Sequence, residues 1–462
     1  MRPAAPFTRR MRRALVVLVV LVLGLSAASP IAAQGPITPW LPGGLPPGVP
    51  GGVPPSQPAG HPPVVPGAVS PLLPGSAQSS SSSCAWGFNS NLSNVAYPDR
   101  NATYFGSVIS LPAGSKLVIT GLYPYNRYFS FNVYNLTGQS IGSLSDYQIA
   151  PDPGSTNPFA VVANPPPAQR EYTVSIVSGG SAGTNIIPID AATSRFLLIY
   201  RVYVPNQGLD ETAGVPLPSV VIQAANGQAQ TIPLCTQQGG SGVLSEIFAF
   251  LNQFPLPTRI DNMLCQWRGA FGRPGNLSQN LIPNPDNAYL CAVTEWQPGR
   301  VAVIRGRAPT FPATFTGGSV ITTPPSQVRY WSFCTNLVVV PFPVVDCTAD
   351  YETAVDSQGQ YYYAISIPSD RPANATTANG VTWLDWGRTD VLGALILRHM
   401  LPNANFTQTV KNIPINGTPQ QSAQVMGPYY PVLAYCTKAQ FEAGGPQGCF
   451  AAGLPGLLQN LR

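Results

Sequence analysis

Nineteen residues, Val381 to His399, gather the side chains best suited to chemistry: Trp383, Asp385, Trp386, Arg388, Asp390, Arg398 and His399. Tryptophan faces offer contact area to a sugar ring, and carboxylates with guanidinium groups fix its hydroxyls, so the set could form a carbohydrate platform. The carboxyls of Asp385 and Asp390 could equally serve as the acid and base of a glycoside hydrolase. His399 could act as a base, but alone, because the other histidine, His61, lies in a proline-rich segment. The plainer alternative is that Trp383 and Trp386 close a hydrophobic core and that His399 simply lies on a strand. No His-Glu-x-x-His, phosphate loop or Gly-x-Gly-x-x-Gly occurs, so hydrolysis ranks behind binding. No cofactor and no metal site is expected. The cysteines lack zinc-ligand spacing, and the loop Asp146–Asn157 has too few acids for calcium and reads as a turn.

Charged residues make up only 9% of the 462, while 44 glycines and 52 prolines are present. Arg2, Arg9, Arg10, Arg12 and Arg13 account for the whole formal charge of +5; without them 19 basic residues face 19 acidic ones. A neutral, charge-poor chain lacks the electrostatic footprint of a nucleic-acid binder. Those arginines precede the apolar run Ala14–Leu25 and the small residues Ile31-Ala32-Ala33, the order of a secretory signal over 1–33. An uncleaved anchor is the alternative, and membrane contact is expected only through this segment. Residues 34–83 hold no charge and are dense in proline, glycine and serine, which reads as an extended stalk. The eight cysteines form an even set in an exported chain. Pairing those that bracket one segment each gives Cys84–Cys235, Cys265–Cys291, Cys334–Cys347 and Cys436–Cys449.

Short runs of period two dominate after Cys84, as in Arg127–Val133 and Tyr172–Ile176, with turn residues at regular intervals. One helical period stands out, over Val243–Phe254. Five blocks recur in order. Pro98-Asp99 answers Pro285-Asp286, Lys116–Gly121 answers Arg300–Gly306, and Arg127–Phe131 answers Arg329–Phe333. Tyr172–Ser178 is matched to Tyr363–Ser369, and Leu198–Pro205 to Leu395–Pro402. The predicted fold is all-β: two tandem, related antiparallel β-sandwich domains of jelly-roll-like form with a short helical connector. The first sandwich spans 84–235, the connector 236–281, the second sandwich 282–402, and a tail packed on it 403–462. Arginines in apolar strands need partners. Arg127 and Arg329, and Arg201 and Arg398, recur in both copies, which argues for structural Arg–Asp pairs. Asp146 with Asp346, and Asp190 with Asp385, are the matched candidates.

The succession Arg-Tyr-(Phe/Trp)-Ser-Phe, a strand ending in serine, and a Trp-Leu segment before Leu-x-x-Arg-x-x-x-Pro resembles a family of exported bacterial proteins known only as a domain of unknown function. The resemblance covers about 90–205 and 283–402. Thr382-Trp383-Leu384-Asp385 stands where that family has Asn-Trp-Leu-Pro. It implies a jelly-roll-like β domain and brings no reaction. The expectation is therefore a secreted or cell-envelope protein that binds or adheres without catalysis, with cell-wall or extracellular glycans as favoured partners. A hydrolase using domain-two carboxylates and a structural surface-layer component are the alternatives.

Overall fold

The computed structural model describes residues 84–236, 265–275 and 279–451, together with 244, 245, 248 and 249. The signal 1–33 and stalk 34–83 lie outside the described residues, as does most of the expected helix over 243–254, whose four described residues are helical. The first sandwich comprises β1 (Phe88–Asn89), β2 (Ala102–Ser110), β3 (Lys116–Leu122), β4 (Asn126–Tyr134), β5 (Ser140–Ser145), β6 (Glu171–Ser178), β7 (Ile186–Ile189), β8 (Arg195–Pro205), β9 (Ser219–Gln223) and β10 (Ala229–Ile232). The second comprises β11 (Asn287–Thr294), β12 (Arg300–Arg307), β13 (Val328–Leu337), β14 (Val344–Ala349), β15 (Gln360–Ser366), β16 (Thr382–Asp385), β17 (Gly393–Pro402) and β18 (Val432–Thr437).

Sheet order shows the duplication directly. The front sheets run β1-β2-β8-β4-β5 and β11-β17-β13-β14, and the back sheets run β10-β9-β3-β6-β7 and β18-β12-β15-β16. Apart from the short added edges β1 and β10, the two orders coincide strand for strand. Each sandwich buries the alternate apolar residues of its two sheets. Phe129, Phe131, Val174, Ile176 and Tyr200 lie in the first core, and Trp331, Phe333, Tyr363, Ile365 and Leu397 in the second. All four disulfides pair as expected: Cys84–Cys235, Cys265–Cys291, Cys334–Cys347 and Cys436–Cys449.

Several expectations need correction. The sheets are not wholly antiparallel, because β6–β7 and β15–β16 are parallel edge pairs. The second sandwich does not end at 402: β18, from the expected tail, pairs with β12 and occupies the place of β9. The connector is no free linker either, since Arg268 and Gly272 bridge to Val293 and Cys291 on the edge of β11. Tyr172 corresponds to Tyr361 and not to Tyr363. Gly121 lies opposite Tyr172 and Gly306 opposite Tyr361. A Cβ on either glycine would come within 2.6 Å and 2.5 Å, respectively, of that tyrosine's hydroxyl. A two-residue slip keeps every side chain on its face, so alternation alone could not detect it.

The front sheets pack against each other. In β8, Phe196, Leu198 and Tyr200 enter the first core while Leu197 and Ile199 join β17's Ala394 and Ile396 in a third cluster between the sandwiches. Both strands are therefore apolar on two faces. Into this contact each copy sends its arginine, and each receives its counter-charge from the other copy. Arg127 of the first sandwich meets both carboxylate oxygens of Asp350 in the second at 2.6 Å, with both side chains fully buried. Arg329 of the second meets Asp146 of the first at 3.3 Å. Asp146 accepts the Phe129 amide and Asp350 the Trp331 amide, so these two acids are true equivalents. Asp346 is not the counterpart of Asp146; it lies 3.8 Å from Arg100. Arg398 pairs with Asp99 at 3.9 Å and donates to the Tyr97 carbonyl at 2.8 Å. Arg201 answers without any acid, donating to the Ile282 carbonyl at 2.8 Å and the Tyr134 hydroxyl at 2.6 Å. The tyrosines of the repeated motif complete the exchange: Tyr330 donates to Asp99 at 2.9 Å, and Tyr128 to Asp286 at 2.8 Å.

Burial pushes the Asp146 and Asp350 carboxyls up to about 6, against the pull of the guanidinium opposite each. Truncating Arg127 to methionine should therefore cost about 3–5 kcal/mol at pH 8 by stranding the Asp350 carboxylate. The loss should shrink at pH 5, where the orphaned carboxyl takes a proton. Adding Asp350→Leu should recover most of the stability. Denaturant unfolding of the three chains at both pH values checks this; an equal loss in single and double variants would contradict it.

Candidate functional site

Strand alternation disperses the seven residues from the 381–399 region. Arg398 and His399 are neighbours on β17 and so point to opposite faces. Arg398 faces the first sandwich, whereas His399 is buried, with Nδ1 3.3 Å from the Thr409 hydroxyl and its ring 6.3 Å from Phe406. Burial pushes the imidazole down to about 3, so it stays neutral. The tryptophans separate in the same way. Trp386 is buried in the core of the second sandwich.

Trp383 lies on the outer face of the back sheet, beneath a cover supplied by helix α2 (Lys438–Ala451). That helix follows the short α1 (Pro419–Met426) and is tied down by Cys436–Cys449. The Trp383 indole donates to Ser366 at 3.0 Å, and Arg371 lies 4.7 Å from its ring. Asp385 spends its carboxylate on the Gly387 amide at 2.9 Å and its carbonyl on the Thr335 hydroxyl at 2.7 Å. It has no equivalence with Asp190, which accepts the Ala192 amide in a turn. Arg388 and Asp390 pair with each other at 2.5 Å on the surface. The platform and the acid–base pair expected from these residues therefore do not assemble.

Other clusters resolve as structure. In the Asp146–Asn157 loop, the Asn157 amide donates to the Asp146 and Ile149 carbonyls, and Asp152 accepts from Thr173, which makes the loop a turn. Asp99, Cys334 and Cys347 converge, but their sulfurs are joined in a disulfide and offer no thiolate.

The concavity lies elsewhere. An open depression of about 500 Å³ is lined by Tyr125, Asn206, Gln207 and Leu209 of the first sandwich and by Phe315 and Thr316 of the second. None of these six was singled out above. The signal was present in the spacing of the copies: five residues separate Gly121 from Arg127, but twenty-two separate Gly306 from Arg329.

No family model and no curated protein matches this chain. Among solved structures it is similar to an uncharacterised protein from Burkholderia cenocepacia, with TM-score 0.46 and 12% identity, over 75% of this chain and 79% of that one. It is also similar to the VPA0106 protein from Vibrio parahaemolyticus, with TM-score 0.36 and 9% identity, over 74% and 89%.

The buried imidazole gives a test of its placement. Its folded pKa lies below the ordinary 6.5, so the stability tied to its neutrality is present above pH 6.5 and is lost as pH falls toward 3. Relative to the native chain, His399→Gln should gain roughly 1 kcal/mol per pH unit between pH 6 and pH 4. Chemical denaturation of both proteins across that range measures the difference. A gap independent of pH would place His399 in contact with water.

Proposed function

We propose that the chain is a non-catalytic binding or adhesion protein of the bacterial cell envelope, with carbohydrate as its ligand class. One observation carries this: the ionisable groups of the 381–399 region and the acids buried between the sandwiches are committed to structural bonds. Asp99, Asp146 and Asp350 hold the two sandwiches together, and His399 is sealed in a core. Asp385 caps a turn, and Asp390 is held by Arg388. A glycosidase-like reaction through Asp385, Asp390 or His399 is disfavoured on the same ground. The low charge content of the chain, 9% of its residues, suits a hydroxyl-rich ligand without charge. Four disulfides fit an oxidising, extracytoplasmic setting. The repeated Arg-Tyr-x-Ser-Phe motif supports placing the chain with the exported family it resembles.

Thermal unfolding of the full chain with a panel of cell-wall glycans tests the proposal. A bound glycan at about 100 times its Kd should stabilise the native state by about 2.7 kcal/mol and raise the Tm accordingly. Release of reducing sugar from any panel member would replace binding with hydrolysis. A panel without any shift would remove carbohydrate as the ligand class.

A further inference from the structure

Several connections differ in length between the copies, and one of them borders the depression. The chain turns from β3 to β4 in three residues, Tyr123–Tyr125, but takes twenty from β12 to β13, Ala308–Gln327. Apart from the short 3-10 turn Thr314–Thr316 it has no regular structure, and ordered loops longer than about 12–15 residues are often functional. This one leaves its own sandwich. The Thr314 hydroxyl accepts from Arg127 Nε at 2.5 Å, the Phe315 carbonyl accepts the Gln207 amide at 2.8 Å, and Val320 packs against the first core.

A second loop, Asn206–Gly214, faces it from the first sandwich. Asp210 fixes this loop by accepting the amides of Thr212 and Gly214 and the Thr212 hydroxyl. The depression lies between the two loops. At the equivalent place in the second sandwich, Asn403 and Gln327 repeat the backbone bond between Asn206 and Tyr125. The first copy has no long loop to lay over it.

The lining is chemically specific. It contains no carboxylate, ammonium or guanidinium group. Two aromatic rings contribute, each braced by a neighbour: Phe315 stacks on Tyr351 with centroids 4.1 Å apart, and the Arg170 guanidinium covers Tyr125 at 3.9 Å. The lining also holds the Gln207 amide, which can donate and accept, and two acceptors: the Asn206 amide oxygen, whose NH2 donates to the Thr314 and Tyr125 carbonyls, and the Thr316 hydroxyl, which donates to the Ala313 carbonyl at 3.1 Å. Its volume falls within the roughly 300–1,000 Å³ of small-molecule sites.

We infer that this depression is a binding site for a neutral saccharide, whose ring C–H faces lie on Tyr125 and Phe315 and whose hydroxyls pair with Asn206, Gln207 and Thr316. The inference rests on the carbohydrate ligand class proposed above and moves the site away from the 381–399 region.

The test titrates the full chain with cellotetraose and chitotetraose by calorimetry, alongside Gln207→Ala, Thr316→Trp and Trp383→Ala. Gln207 and Thr316 are exposed, so their variants should keep the native Tm. Loss of one hydrogen bond in Gln207→Ala should weaken binding up to about tenfold, and the Thr316→Trp indole should abolish it by filling the depression. Saccharide binding that survives both changes but is lost in Trp383→Ala would overturn this site and leave the ligand class standing. Absence of binding by these tetrasaccharides and by every glycan of the thermal panel would overturn both.

Discussion

A guanidinium held inside an apolar strand must find its counter-charge nearby, and here it finds it in the other half of the molecule. Arg127 reaches across to Asp350, Arg329 to Asp146, and Arg398 to Asp99. Removing either sandwich would leave these charges without their partners on the exposed sheet face, so neither half is self-sufficient. The same demand explains why β8 and β17 are apolar on both faces, and why both sandwiches fall in one compact unit. The recurring Arg-Tyr-x-Ser-Phe motif is thus the signature of the contact between copies.

This use of charge bears on function. A chain with 9% charged residues has few to spare, and the contact between the front sheets takes several of the buried ones. Outside that contact, the charged residues of the 381–399 region serve local devices: a turn cap at Asp385 and the Arg388–Asp390 pair. Under the proposed carbohydrate reading, recognition would fall to rings, amides and hydroxyls displayed by loops laid over a rigid frame.

Much of this frame could be read from the residues. Period-two runs and ordered blocks gave the two sandwiches, and bracketing gave the four disulfides. Three things escaped for physical reasons. Alternation fixes which face a side chain takes but not what covers that face, so Asp146 and Asp346 stood as matched candidates for the arginines, although the partners are exchanged between copies and Asp350 is the true equivalent of Asp146. A slip of two residues is invisible to alternation, which misaligned Tyr172 and with it Asp190. Density of reactive types along the chain suggested a site at 381–399, yet consecutive strand residues such as Arg398 and His399 diverge by construction. Two clues went unused. Apart from Arg201, Leu197 to Val204 is apolar without alternation, which marks a strand covered on both sides, and the loop after Gly306 is far longer than its counterpart after Gly121.

The reciprocal bonds have the form of an isologous interface, as between the identical subunits of a two-fold dimer, except that here the partners share one polypeptide. A homodimer is bound to carry each surface feature twice, because any change in one subunit appears in the other. Covalent fusion lifts that restriction. It lets Ala308–Gln327 lengthen in one half while Tyr123–Tyr125 stays short in the other, and it gives the molecule a front and a back. A chain of this kind presents the Ala308–Gln327 loop once per polypeptide, where its symmetric equivalent would have presented it twice.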